Sequence, residues 1–134
     1  VDNMTLNAPI TISGTGVGGN GALVAKGIIT DTIVNGLTVN GSATIGGTRR
    51  LDVRTQLLSS SPGTPFTLTK VGTNQLIIGG AAANYADIGD INLNSGEIIV
   101  DGNNSLGNSA YTLTVAGGVA VAFSGNINTK NVEQ

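Results

Sequence analysis

Residues 66–78 read FTLTKVGTNQLII. Two short arms of branched apolar residues alternate with small polar ones, the period of a strand with one buried face. Between them stand Gly72 and Asn74, residue types that let a chain turn sharply. The plan returns at residues 90–100, DINLNSGEIIV, and again at residues 111–123, YTLTVAGGVAVAF. Leu68, Leu93 and Leu113 mark equivalent points of the first arm, 25 and 20 residues apart. Leu76, Ile98 and Val119 mark the second arm, 22 and 21 residues apart. Residues 4–12, MTLNAPITI, and 37–45, LTVNGSATI, read as earlier, degenerate copies.

Strand pairs that recur every 20–25 residues through glycine-containing corners predict a β-solenoid. Each repeat forms one coil, and like strands stack into parallel sheets about 4.8 Å apart. About six coils then make a rod roughly 30 Å long. An antiparallel β-sandwich also uses short strands and many turns. The close pairing of strands and the single period favour the solenoid. Convincing helical periodicity appears nowhere, so the expected fold is all-β with essentially no helix. The stretch Arg49 to Leu58 lacks Gly and Pro, yet Leu51, Val53 and Leu57 keep an alternating set and read as strand.

Composition agrees with this architecture. The 134 residues fit one domain, with 40% hydrophobic, 10% charged and only 3% aromatic residues. A narrow coil interior suits Val, Ile, Leu, Ala and Thr, and the 21 glycines serve the corners. The net charge of −2 gives no field to draw nucleic acid or an anionic membrane. With no His or Cys, the usual zinc, copper, disulfide and thiol chemistry is absent. No apolar run approaches the roughly 20 residues that span a bilayer. The chain starts at Val1 without a signal peptide, and is read as processed or excised from something longer.

Residues 10–24, ITISGTGVGGNGALV, place Gly14, Gly16 and Gly19 at the spacing G-x-G-x-x-G. A dinucleotide site needs a helix after that loop and an acidic residue about 20 positions on. Here residues 22–26 are too short for such a helix before Gly27, and the later position falls near Val39 and Asn40. No Gly-Lys-Ser/Thr occurs either, so these glycines are read as turns.

At residues 66–108 the sequence resembles the autotransporter-associated β-strand repeat. That pattern runs roughly L-T-K-x-G-x-G-x-L-x-L-x-G-x-N-x-Y-x-G, then T-x-V-x-x-G-x-L, then a Leu-Gly pair. Leu68-Thr69-Lys70-Val71-Gly72 match its opening, and Leu76 and Ile78 its strand. Gly79 or Gly80 matches the glycine, Asn84-Tyr85 the Asn-x-Tyr region, Ile91 to Ile98 the next turn of coil and Leu106-Gly107 the final pair. Asn74 replaces the second glycine, Asn-x-Tyr-x-Gly is compressed, and residues 27–36, GIITDTIVNG, have no counterpart. The resemblance is specific over residues 66–123 and softer over 1–65, with 124–134 left as a tail. It implies a right-handed parallel β-helix belonging to a secreted bacterial surface protein.

Several residue groups bear on chemistry. Parallel β-helices also serve as polysaccharide lyases and hydrolases, whose sites need clustered carboxylates. The one dense charge cluster is residues 49–54, RRLDVR, where alternation puts Arg50, Asp52 and Arg54 together on the solvent side. This face reads as self-neutralising, or as a contact for an acidic sugar, and no second carboxylate lies near it in sequence. Asp87, Asp90 and residues 101–104, DGNN, are oxygen-rich. They miss the spacing of calcium loops and read as Asx turns. Tyr85 and Tyr111 are read as aromatics over corners, with glycan stacking as the alternative role. The sequence therefore predicts a non-catalytic, cofactor-free and metal-free rod of a secreted or surface-exposed bacterial protein. Its expected partners are neighbouring coils or copies of itself, without nucleic acid or membrane insertion. A glycan-binding or adhesin module using one flank of the rod is the alternative.

Overall fold

The computed structural model describes residues 4–54, 57–59, 63, 65–79, 88–102, 106–124 and 131–133. These residues form an all-β parallel solenoid, in which every strand pairing is parallel. The only helical piece among them is a single 3-10 turn at Val17–Gly19.

One sheet stacks six strands, in the order β1 (Thr5–Leu6), β4 (Asp31–Ile33), β6 (Leu51–Val53), β9 (Gln75–Gly79), β11 (Glu97–Asp101) and β13 (Ala120–Ser124). The second sheet runs β2 (Ile10–Gly14), β5 (Leu37–Gly47), β8 (Leu68–Lys70), β10 (Ile91–Leu93), β12 (Thr112–Val115) and β14 (Asn131–Glu133), with β3 (Leu23–Ala25) and β7 (Leu57–Ser59) also paired to β5. Strand β5 serves two faces of the coil. Its first half lies between β2 and β7, while its second half lies between β3 and β8.

Alternation drives burial. In the first sheet Ile33, Val53, Ile78 and Val100 lie in register, and each is fully closed to solvent. In the second, Ala43, Leu68, Ile91 and Leu113 stack the same way. Burying an aliphatic side chain of this size contributes roughly 1.5–3 kcal/mol, so these columns carry the stability of the rod. Ile45, Lys70, Leu93 and Val115 form a third inward column, which places a lysine among aliphatics.

The register corrects the sequence alignment in two places. Ile91, not Leu93, pairs with Leu68 and Leu113, and Val121, not Val119, pairs with Ile98. Both slips are of two residues, which leave the same side chains inward and are invisible to alternation. The first arm of residues 66–78 is strand only over Leu68–Lys70. Within the segment that has no counterpart in the repeat pattern, Asp31–Ile33 forms β4, and residues 131–133 of the supposed tail pair with β12.

Candidate functional site

The loop with the nucleotide-like glycines is a tight turn leading into strand β3. Gly16 takes a positive φ of 71°, and a Cβ there would overlap the Gly21 carbonyl. The Gly21 amide donates to the Thr15 carbonyl at 2.9 Å. The backbone closes on itself, as the turn reading expects.

The first flank feature is the arginine cluster. Arg50 Nε and Nη2 donate to the two Asp52 carboxylate oxygens at 2.6 and 2.9 Å. Arg54 Nη2 reaches Asp52 at 3.2 Å, and its Nη1 reaches Asp101. Asp52 faces outward, yet the two guanidiniums leave it only 6% exposed. The Asp52 hydrogen bond raises the pKa of Arg50 further above its ordinary value. Asp101 is held below the usual carboxylate range, chiefly by the Ser124 hydroxyl (2.9 Å) and by Arg54.

Asp101 is the member the sequence missed. Val53, Ile78 and Val100 lie in register, so Arg54, Gly79 and Asp101 follow one another along the next rung. Gly79 stands between them, where a Cβ would overlap the Asp101 backbone, and Arg54 reaches past it to the Asp101 carboxylate. The signal was in the repeat, because steps of 25 and 22 residues lead from 54 to 101.

Of the other sequence candidates, Tyr111 is half-buried just before β12, away from the cluster by sheet and strand. Tyr85, Asp87, Asn103 and Asn104 lie outside the described residues. Asp90 Oδ1 accepts the Thr112 backbone N–H at 2.8 Å, so it staples one turn of the coil to the next. Among the described residues no group of three or more acidic side chains converges to hold a metal ion. No helix there is long and apolar enough to cross a membrane.

The second feature is the stacked corner between the two sheets. It comprises residues 26–30, 48–50, 71–74, 94–96 and 116–119 on successive turns. At 71–74 and 94–96 it closes around Lys70, which is fully buried. The Lys70 ammonium donates to the carbonyls of Val71, Gly72 and Ser95 at 2.7, 3.1 and 3.2 Å. Burial lowers its pKa to about 8. All three N–H groups are thus spent on backbone, which makes Lys70 a corner staple.

At 26–30, 48–50 and 73–75 the same corner opens into a groove of about 390 Å³. A five-residue corner there overlies a three-residue one, so the two do not stack flush. Arg49 ties them by donating from Nε to the Gly27 carbonyl at 3.1 Å. Asn74 lines this groove at 3% exposure, with neither Oδ1 nor Nδ2 hydrogen-bonded.

The arrangement defines a parallel β-solenoid with a charged flank and a polar corner groove. No protein-family model, curated protein or solved structure matches this chain.

Proposed function

We propose that this chain is a non-catalytic structural β-solenoid of a secreted bacterial surface or fibre-forming protein, and that its copies stack end to end into filaments. The observation that carries the reading is Phe123. It pairs with Val100 at the end of the inward column from Ile33, yet it is 54% exposed. Among the described residues no strand lies beyond β13 in that sheet. Open β-edges add further strands, and an exposed Phe beside one gives that addition an apolar anchor.

Charge supports a head-to-tail arrangement. Residues 1–65 carry four Lys/Arg against three Asp/Glu, and residues 66–134 carry two against five. Opposite net charge on the two halves favours joining unlike ends. The flank carboxylates support a non-catalytic reading, because Asp52 and Asp101 are both paired with arginine. A glycosidase acid instead needs a raised pKa, whereas that of Asp101 is lowered. The resemblance of residues 66–123 to autotransporter-associated repeats supports the bacterial surface setting.

Sedimentation velocity from micromolar to near-millimolar chain tests this. Wild type should show mass rising with concentration, and Phe123→Lys should stay monomeric with unchanged far-UV circular dichroism. A wild-type chain that is monomeric throughout would count against stacking.

A further inference from the structure

We propose that the corner groove binds a uronic acid residue of an acidic polysaccharide. It lies on the flank of the rod, so it is open in a monomer and in a filament, and does not depend on stacking.

Three features converge there. Arg49 and Arg50 supply guanidinium at one side, and Arg49 has only its Nε engaged among the described residues. A guanidinium carries five N–H donors in a fork that matches a carboxylate, so Arg49 retains its terminal nitrogens for a ligand. Ile28 and Ile29 stand 70% and 54% exposed beside it. Two adjacent bare isoleucines offer an apolar shelf for the C–H face of a sugar ring. Asn74 is the third feature and narrows the ligand class.

A buried amide lacking partners destabilises the fold unless something engages it. A lone carboxylate satisfies only Nδ2. A vicinal diol satisfies both atoms, because one hydroxyl donates to Oδ1 and its neighbour accepts from Nδ2. Carboxylate, adjacent hydroxyls and an apolar ring face occur together in a hexuronic acid. Both amide atoms are closed to solvent at rest. Engagement therefore turns the side chain of Asn74, or of exposed Gln75 beside it, on the rotamer timescale.

The test is calorimetric titration of the chain with trigalacturonic acid and, separately, with neutral galactotriose and sodium acetate. The proposal expects the acidic trisaccharide to bind at least tenfold tighter than either comparison compound. Arg49→Ala should weaken it at least tenfold. Asn74→Ala should weaken it as much while matching or exceeding the wild-type Tm, since it removes an unpaired buried amide. Equal affinity for galactotriose would overturn the carboxylate contact, and equal affinity for acetate the sugar contact. Undiminished binding in the two variants, or no heat with millimolar trigalacturonic acid, would overturn the site itself. Binding by a chain that never forms filaments would leave this site standing and the stacking refuted.

Discussion

The same corner of the coil is built in two ways along this rod. Around residues 70–72 and 94–96 it is short, closed and centred on a cation turned inward, with Lys70 fully buried. Around residues 26–30 and 48–50 it is uneven and open, with Arg49 and Arg50 on the outside and bare isoleucines beside them. Both versions link the same two sheets. The contrast shows that the strands set the solenoid, while corner length and the direction of one basic side chain decide between staple and groove.

Glycine substitution should break the closed corner most severely. A Cβ on Gly96 would lie 2.5 Å from the carbonyl oxygens of Asn74 and Gly72, and 2.8 Å from Lys70 Nζ, at a φ of +79°. Gly96→Ala should cost more than about 3 kcal/mol or prevent folding, by overpacking combined with strain. Gly14 has a similar φ of +77° but meets nothing within 4 Å. Gly14→Ala should therefore cost only about 1–2 kcal/mol, the strain alone. Urea melts of the two variants separate crowding from conformation, and equal losses would erase the distinction.

Lys70→Met removes the donor from three corner carbonyls and should cost about 2–4 kcal/mol at pH 7. Its pH dependence sharpens the point. The folded pKa, about 8, lies below the ordinary lysine value of 10.5, so the unfolded chain binds more protons between those two values. Wild-type stability should accordingly rise as pH increases from 8 to 10.5. Urea midpoints of wild type and Lys70→Met should therefore move further apart from pH 7 through 9 to 10.5, since the variant lacks this gain. A flat wild-type profile would mean that the three carbonyls hold the ammonium protonated as well as water does.

The open flank should respond least. Arg54→Ala breaks contacts to Asp52 and Asp101 at a partly exposed site. It should cost at most about 1 kcal/mol, less at 0.5 M salt. A loss as large as that of Lys70→Met would overturn the ranking of the two cations.

Particular residues show what could be read without coordinates. Leu68, Leu76, Ile98 and Leu113 announced their inward face by alternation, and the repeat they share specified stacked parallel strands. Lys70 stands two positions from Leu68 and shares its inward face, a placement that the match to the repeat pattern did not bring out. Leu93 and Val119 were set two residues off, since only the hydrogen-bonded ladder distinguishes shifts that preserve a face. Strands β3 and β4 were missed because three-residue strands beside a five-residue corner carry too little periodicity. Asp101 joins Arg54 from 47 positions away, across two rungs of stacking that depend on a correct register. The groove was least legible of all, as it arises from a mismatch in length between adjacent corners.

Negative-stain electron microscopy of the purified chain at neutral pH, from dilute to concentrated, tests the central claim most directly. Filaments should lengthen with concentration and show an axial repeat close to one subunit length. Discrete short rods at every concentration would contradict end-to-end stacking.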